Sequence, residues 1–318
     1  MSHKYRLAVI VPFHNSERTL ERTLMSLLEQ SARDVHYILV NDGSSDHSLM
    51  VVEEFVKLHP EFADRHTLLS YEFMRGSSEA INIGLRHVDA EFVIKCDSDD
   101  TVDKDYYNQL LEYADKQQAD IVYTPITLHQ GNKTSLLTPR RHITSLNDMP
   151  LDTVHFSLCN KIIRYNLLTG NGIEAYPHID CWEDLGIVSR VMANRPKTAY
   201  LNIPGYHYYL IPGNKSLSRS HNNVLLRDHL MCALLLEQWF LGHDPTNAYQ
   251  EFMHHLKFLS KIKMLKGDDK NVQRWKATFP EANCGIMHLR HIKWYHRILL
   301  AIIAKLPTGL GQWAVDKL

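Results

Sequence analysis

Four short apolar runs lie in the first hundred residues, with helical patterns between them. The runs, each with the content of a buried strand, are residues 7–12, 35–40, 68–73 and 92–94. The helices predicted between them are residues 16–30, 48–58 and about 77–86. This alternation predicts an α/β fold, because short strand–helix–strand crossovers build a parallel sheet with helices on both faces.

Each of the four predicted strands is followed by polar residues. These residues are Asn15, Asn41 with Asp42, Arg75 with Gly76, and Asp97 with Asp99. Ligands of open parallel sheets bind beyond the carboxyl ends of the strands, which all meet at one edge. The sequence therefore predicts a binding site at this edge.

The fourth strand ends in a dense acidic turn. Asp97, Asp99 and Asp100 place three carboxylates within four residues, and a divalent cation would remove their mutual repulsion. Oxygen ligands suit Mg2+ or Mn2+, ions that usually bridge to a phosphate. The alternative is a solvated turn that caps the helix starting near Asp103. The dinucleotide pattern G-x-G-x-x-G and the phosphate loop G-x-x-x-x-G-K-[ST] are both missing from the sequence. A bound nucleotide would then need a metal to balance its diphosphate charge.

Beyond residue 100 the alternation is less regular. The predicted elements are a helix at 106–117, a strand at 121–124, helices at 154–168 and 184–194, and a strand at 199–203. Residues 129–150 are polar and interrupted by Gly and Pro, which predicts a loop. From residue 222 onward the pattern is helical without a strand, so we expect two domains, 1–220 and 221–318.

Composition limits the compartment and the partners. The five cysteines form no C-x-x-C pair, no apolar leader precedes the first strand, and no apolar run is long enough to span a bilayer, which together predict a cytoplasmic protein. Residues 1–253 carry 23 Lys+Arg against 32 Asp+Glu, whereas residues 254–318 carry 12 against 4. The basic end predicts an anionic partner. No nucleic-acid-binding motif is present, so phospholipid is favoured.

A helix predicted over 291–307 has seven apolar residues, 298–304, flanked by Lys293, Arg297 and Lys305, with Trp294 nearby. One interpretation is an interfacial helix that attaches residues 291–313 peripherally to the inner face of a membrane. The other is a helix packed on the first domain.

The strand-end motifs, taken in order, resemble the family 2 glycosyltransferases with the GT-A fold. The matching segments are residues 11–15, 40–46, 97–100, 182–184 and 206–218. The resemblance implies a Rossmann-like, mostly parallel sheet flanked by helices, with catalysis in 1–220 and a helical C-terminal extension in 221–318. One departure is Ile81, where the family often has arginine. Arg75 and Lys95 are the candidates to replace it.

The resemblance also implies roles for individual residues. Asp184 would be the general base, with Glu183 beside it, although an acidic pair at a helix start also fits simple capping. Asp99 and Asp97 would hold Mg2+ or Mn2+. The expected donor-binding residues are Pro12, Phe13, Asn15, Asp42, Gly76, Asn82, Asp97 and Ser98, with His207 and Arg75 as additional contacts.

The implied function is transfer of a sugar, with inversion, from a nucleotide-diphosphate sugar to a hydroxyl group. A UDP-sugar is the expected donor, and a saccharide or a lipid-linked saccharide in cell-surface polysaccharide or glycolipid assembly is the expected acceptor. The alternative is a non-catalytic nucleotide-sugar-binding protein of the same fold. The intact Asp97, Asp99 and Asp184 argue against it.

Overall fold

The computed structural model describes residues 3–140, 143, 145–211, 223–244, 246, 248–265, 270–284, 286–288 and 293–317. The chain forms two compact units, residues 1–214 and 215–318. The first contains every described strand. The strands are β1 (Tyr5–Phe13), β2 (Val35–Asp42), β3 (His66–Tyr71), β4 (Ala90–Lys95), β5 (Thr101–Val102), β6 (Ile121–Tyr123), β7 (Ile126–Gln130), β8 (Lys133–Leu137), β9 (Lys161–Arg164), β10 (Thr198–Tyr200) and β11 (Tyr206–Leu210).

The first unit is built on a seven-stranded sheet with the order β10-β6-β9-β4-β1-β2-β3. All neighbours are parallel except β9, which runs antiparallel to both β4 and β6. A smaller sheet has the order β5-β11-β7-β8. The helices of this unit are α1 (Leu20–Leu28), α2 (Ser48–Leu58), α3 (Pro60–Ala63), α4 (Ser77–Arg86), α5 (Tyr106–Gln117), α6 (Thr153–Phe156), α7 (Asn166–Thr169) and α8 (Glu183–Ala193).

The central strands are buried along most of their length because both faces of the sheet are covered. Leu7, Val9 and Val11 of β1 are fully buried in one large apolar cluster that also includes side chains of α1 and α5. Strands buried on both faces read as continuous apolar runs, which is the pattern that predicted them. The parallel β4-β1-β2-β3 half of the sheet brings the carboxyl ends of these strands to one edge.

Two sequence predictions were wrong in this unit. The helix predicted over 154–168 is broken by the strand β9, whose Ile162 and Ile163 pair with β6 and β4. The local apolar pattern fits a helix as well as a strand, and pairing with distant strands decides between the two. The loop predicted over 129–150 begins instead with the hairpin β7–β8, whose turn contains Gly131 with φ +56°.

The second unit is helical in the part that the structure describes, as the sequence predicted. Its helices are α9 (Asn223–His243), α10 (Gln250–Lys261), α11 (Val272–Ala277), α12 (Trp294–Lys305) and α13 (Thr308–Asp316). Its core contains Phe258, Trp275 and Ile303. Within the described ranges, no helix has both the length and the apolar content that crossing a bilayer requires.

Candidate active site

Asn15 joins the loops that follow β1 and β2. Its backbone is left-handed, with φ +51°, a conformation that asparagine tolerates better than most residues. Its amide oxygen accepts hydrogen bonds from the backbone N–H groups of Ser45 (2.8 Å) and Asp46 (3.3 Å), and its own N–H donates to Ser44 Oγ (3.1 Å). The predicted convergence of these two strand ends is therefore present in the structure.

Asp42 holds the loop that follows β3. One carboxylate oxygen accepts the N–H of Arg75 at 2.7 Å, and the other accepts the N–H of Gly76 at 3.0 Å. The side chain is buried, so its position depends on these charge-assisted bonds. The Arg75 guanidinium lies 4.2 Å from the ring centre of Tyr71.

The acidic segment before α8 is attached to the start of α4. Asp180 accepts hydrogen bonds from the backbone N–H (3.0 Å) and hydroxyl (2.9 Å) of Ser78. Gly76 has φ +100°, and a Cβ there would lie 2.4 Å from the Asp180 carboxylate, so this approach requires glycine. Sequence reasoning missed Asp180 as a positioning residue. Trp182, with φ +73°, then turns the chain into Glu183.

The acidic turn after β4 is fixed by hydroxyl groups. The carbonyl oxygen of Ser98 accepts hydrogen bonds from Thr19 (2.9 Å) and Thr23 (3.0 Å), and the Ser98 hydroxyl lies 2.8 Å from that of Ser16. The Asp100 carboxylate is buried and accepts a hydrogen bond from the hydroxyl of Tyr206 at 2.6 Å. Burial, with Asp97 and Asp99 nearby, raises its pKa well above the usual range.

Lys95, in the last position of β4, connects this turn to the start of α8. Its Nζ lies 3.2 Å from Asp97 Oδ1, 3.3 Å from Asp184 Oδ1 and 3.8 Å from Glu183 Oε1. Its side chain is 8% exposed. Burial alone would lower the lysine pKa, but the carboxylates of Asp184 and Asp97 outweigh it and keep the pKa well above its ordinary value. The two acidic motifs thus share one buried cation.

The two carboxyl groups of the acidic pair, Glu183 and Asp184, have different surroundings. Burial, followed by the charge of Asp184, raises the pKa of Glu183 to about 8, so Glu183 is mostly protonated at neutral pH. Asp184 faces Lys95 through Oδ1 and accepts the backbone N–H of Leu158 through Oδ2 at 3.1 Å. Of the two, Asp184 is therefore the one that contacts both the buried ammonium group and a backbone N–H donor.

The acidic turn does not form a complete metal cage. Among the described residues, no group of three or more His, Cys, Asp or Glu side chains is placed to hold an ion. Asp97 and Asp99 are partly exposed carboxylates on one turn. Their donor chemistry fits a hard cation whose other ligands are waters and substrate phosphates.

Three residues predicted to contact the donor are in contact with other parts of the protein. Phe13 is buried in the apolar core. Asn82 is fully buried, and its amide exchanges two hydrogen bonds with the backbone of Ala175. His207 hydrogen-bonds to His129 and to Asp103.

Pro12 lies in β1 opposite Val40 of β2 and is partly exposed. Ile81 is buried in α4. Of the two candidates to replace the family's arginine, Lys95 is engaged by carboxylates, whereas Arg75 remains exposed at the rim.

A family model described as "Glycosyl transferase family 2" matches residues 8–179, more than half of the chain. The chain therefore belongs to this family and is a glycosyltransferase, as the motifs predicted.

Known relatives agree with this assignment. The chain is 25% identical over 284 residues to the cholesterol galactosyltransferase of Borreliella burgdorferi, which covers 83% of this chain and 76% of the relative. It is also 25% identical over 252 residues to the poly(ribitol-phosphate) beta-N-acetylglucosaminyltransferase TarS of Staphylococcus aureus, covering 77% of this chain but only 42% of TarS.

Solved structures confirm the fold prediction. TarS residues 1–349 in complex with UDP-GlcNAc align with a TM-score of 0.67 at 18% identity, covering 98% of this chain and 91% of that one. The mannosyltransferase PcManGT from Pyrobaculum calidifontis, in complex with GDP-Man and Mn2+, aligns with a TM-score of 0.56 at 15% identity, covering 99% and 87%. The sheet and its flanking helices are those of GT-A transferases.

Proposed function

We propose that this chain is an inverting, metal-dependent glycosyltransferase that moves a sugar from a UDP-sugar to a hydroxyl of a saccharide or lipid-linked acceptor. The observation that carries this proposal is the Lys95 cluster. One buried ammonium group lies within 3.3 Å of a carboxylate from the acidic turn, Asp97, and of one from the start of α8, Asp184. One side chain thereby contacts both a donor-side group and a proton acceptor.

The donor would lie along the strand ends of the first unit. Asp42 holds the 75–76 backbone, and Asn15 holds the 44–46 loop, so the two loops that would border the nucleotide are pre-organised. Pro12, Ser98 and the exposed Arg75 border the same edge. Asp97 and Asp99 would hold Mg2+ or Mn2+, which supplies charge neutralisation for the departing nucleotide diphosphate.

Asp184 would accept the proton of the acceptor hydroxyl. That oxygen forms a bond to the anomeric carbon while the bond to the diphosphate oxygen breaks on the opposite face, and this single displacement inverts the configuration. Lys95, 3.3 Å away, would position the Asp184 carboxylate for this proton transfer. Protonated Glu183 can donate a hydrogen bond to an acceptor oxygen.

The acceptor class is inferred from the relatives. Their names state transfer to cholesterol in one case and to poly(ribitol-phosphate) in another. We therefore extend to this chain a role in cell-surface glycolipid or polysaccharide assembly. The first unit, residues 1–214, holds every residue proposed for catalysis.

The first test measures how much each ligand stabilises the protein against thermal unfolding. Thermal unfolding of the wild type and of Asp99→Ala is followed with UDP, GDP, their sugars and Mn2+. We expect one nucleotide diphosphate to raise the Tm only with the metal and only when Asp99 is present, because ligand binding to the native state stabilises it by mass action. No metal-dependent shift with any nucleotide would contradict the proposed site.

The second test measures turnover. Release of nucleotide diphosphate from the donor that binds is followed with a panel of saccharide and lipid-linked acceptors. Asp184→Asn is expected to keep the donor-induced Tm shift and to lose at least about 100-fold in kcat, the typical contribution of a general base. Donor binding without release by the wild type would instead support the non-catalytic alternative.

A further inference from the structure

Helices α12 and α13 present an exposed apolar surface. Six large side chains of these two helices are exposed, and they are together named the α12–α13 face: Trp294, Tyr295, Ile298, Ile302, Leu310 and Trp313. Each of the six is at least 40% exposed, and the two tryptophans are 64% exposed. Single exposed apolar residues are ordinary on protein surfaces, but a concentration on two successive helices marks an interaction surface.

The exposure follows from the helical spacing. Trp294, Ile298 and Ile302 are four residues apart and therefore share one side of α12. The opposite side is already buried, because Leu300 and Ile303 pack into the core of the second unit. The helix is thus apolar on both sides, and only one side is covered by the described part of its own unit.

The charged side chains of the segment that carries this face are almost all basic. Residues 293–317 carry four basic side chains, Lys293, Arg297, Lys305 and Lys317, against one acidic side chain, Asp316. The wider region, residues 254–318, has 12 Lys+Arg against 4 Asp+Glu, although two of these lysines, Lys257 and Lys261, are buried and do not contribute to the surface charge. This charge is complementary to an anionic surface.

We propose that the α12–α13 face binds the surface of an anionic phospholipid bilayer. Isoleucine and leucine would enter the acyl boundary, the tryptophans and Tyr295 would lie at headgroup depth, and the lysines would contact lipid phosphates. α12 has 12 residues, a length of about 18 Å, which is too short to span the hydrocarbon core of about 30 Å. The helices therefore lie in the plane of the surface.

Charge also separates a bilayer from a second copy of this chain. A symmetric dimer through this face would place the basic side chains of one copy against those of the other, and like charges in close contact oppose association. A bilayer offers both an apolar layer and anionic groups. This inference deepens the proposed function, on which its relevance to a lipid-linked acceptor rests.

The test is co-sedimentation of the full chain with vesicles of phosphatidylcholine alone and of equal parts phosphatidylcholine and phosphatidylglycerol, without sugar nucleotide. We expect binding to the anionic vesicles that weakens as salt is added. Ile298→Ser with Ile302→Ser should lower the partition coefficient about tenfold or more, because two inserted aliphatic side chains are lost. The matched control is Leu58→Ser with Leu241→Ser, two residues that are 75% and 65% exposed elsewhere on the chain. The control should bind like the wild type.

In the sedimentation assay, the inference is overturned by no sedimentation with either vesicle, by equal loss in the control, or by unchanged binding of the Ile298/Ile302 variant. Loss of self-association in that variant, seen by analytical ultracentrifugation without vesicle binding by the wild type, would assign the face to a second copy. Quenching of wild-type tryptophan emission by brominated lipid provides a readout that needs no substitution, and no quenching would also refute insertion. Asp184→Asn should sediment like the wild type, so a chain that binds vesicles but transfers no sugar would separate failure of the proposed function from failure of this inference.

Discussion

Removing the cation of the Lys95 cluster gives the most direct test of the site geometry. Lys95→Met keeps most of the side-chain volume but leaves the carboxylates of Asp97 and Asp184 without their shared partner. Because Lys95 is only 8% exposed and Asp184 19% exposed, water cannot easily replace the lost interaction. Breaking a buried pair in this way typically costs about 3–5 kcal/mol.

The coupling between Lys95 and Asp184 can be bounded from their distance. Two unit charges 3.3 Å apart interact by about 5 kcal/mol at an effective dielectric constant of about 20. When Asp184 is neutralised, a shift of Lys95 toward Asp97, which already lies 3.2 Å away, would offset part of that energy. We therefore expect a coupling free energy of about 2–3 kcal/mol between the two residues.

The assay is a double-mutant cycle in urea. The free energy of unfolding is measured for the wild type, Lys95→Met, Asp184→Asn and the double variant. Asp184→Asn should cost much less in the Lys95→Met background than in the wild type, because the carboxylate it removes is then unpaired. Asp115→Asn is the control, since Asp115 is 56% exposed and pairs with Arg6.

Additive costs would refute the reasoning. The reasoning fails if the losses of unfolding free energy in the two single variants sum to the loss in the double variant within about 0.5 kcal/mol. Lys95 and Asp184 would then not form a buried ion pair, and Lys95 would not connect the acidic turn to α8. Coupling of the same size between Lys95 and Asp115 would show that the measured term is a general charge effect.

Three further predictions concern the supports of the site and the second unit. Gly76→Ala should destabilise the first unit by more than about 2 kcal/mol, because φ is +100° and the new Cβ would meet the Asp180 carboxylate; an unchanged urea midpoint would contradict this. Asp42→Asn should lower the free energy of unfolding by about 1–3 kcal/mol, because the amide NH2 cannot accept the second backbone N–H. It should also raise the KM for the donor, and urea unfolding and donor kinetics measure the two effects. Burial lowers the pKa of His229 to about 3, so the unfolded state binds more protons between pH 6.5 and 3 and stability falls as the solution is acidified. Between pH 7 and pH 5 the free energy of unfolding of the wild type should fall by about 2 kcal/mol. Thermal unfolding of His229→Gln across the same range should not show this decrease.

Local patterns were sufficient for the elements that are locally determined. Helices α2 and α5 have the predicted bounds, 48–58 and 106–117, because an apolar stripe and clear boundaries specify them within one segment. The four parallel strands were predicted by their apolar runs. The shared edge followed from the rule that parallel strands end together.

The pairing of strands that are far apart in the sequence could not be predicted from local patterns. β9 is specified by its partners in β4 and β6, and its apolar run also fits a helix. The β7–β8 hairpin did leave a signal, the Gly131-Asn132 pair between alternating residues, which is typical of a two-residue turn.

The charge arrangement of the site was only partly predictable. Asp97, Asp184 and Glu183 were found from their motifs, but Lys95 was considered only as a substitute for arginine. A lysine inside a buried apolar strand indicates an ion pair, because an unpaired buried ammonium is strongly unfavourable. Which carboxylates it meets depends on α8, far along the chain, and could not be derived from spacing.

The antiparallel strand β9 has a consequence for how the chain is made. During synthesis the contiguous β3-β2-β1-β4 half of the sheet emerges first, and the strand that covers the outer edge of β4 is translated several seconds later, at about 5–20 residues per second. Until then β4 has an unpaired, apolar edge, which is a template for intermolecular strand pairing. Nascent chains and fragments that end between β4 and β9 should therefore depend on chaperones more than the complete first unit does.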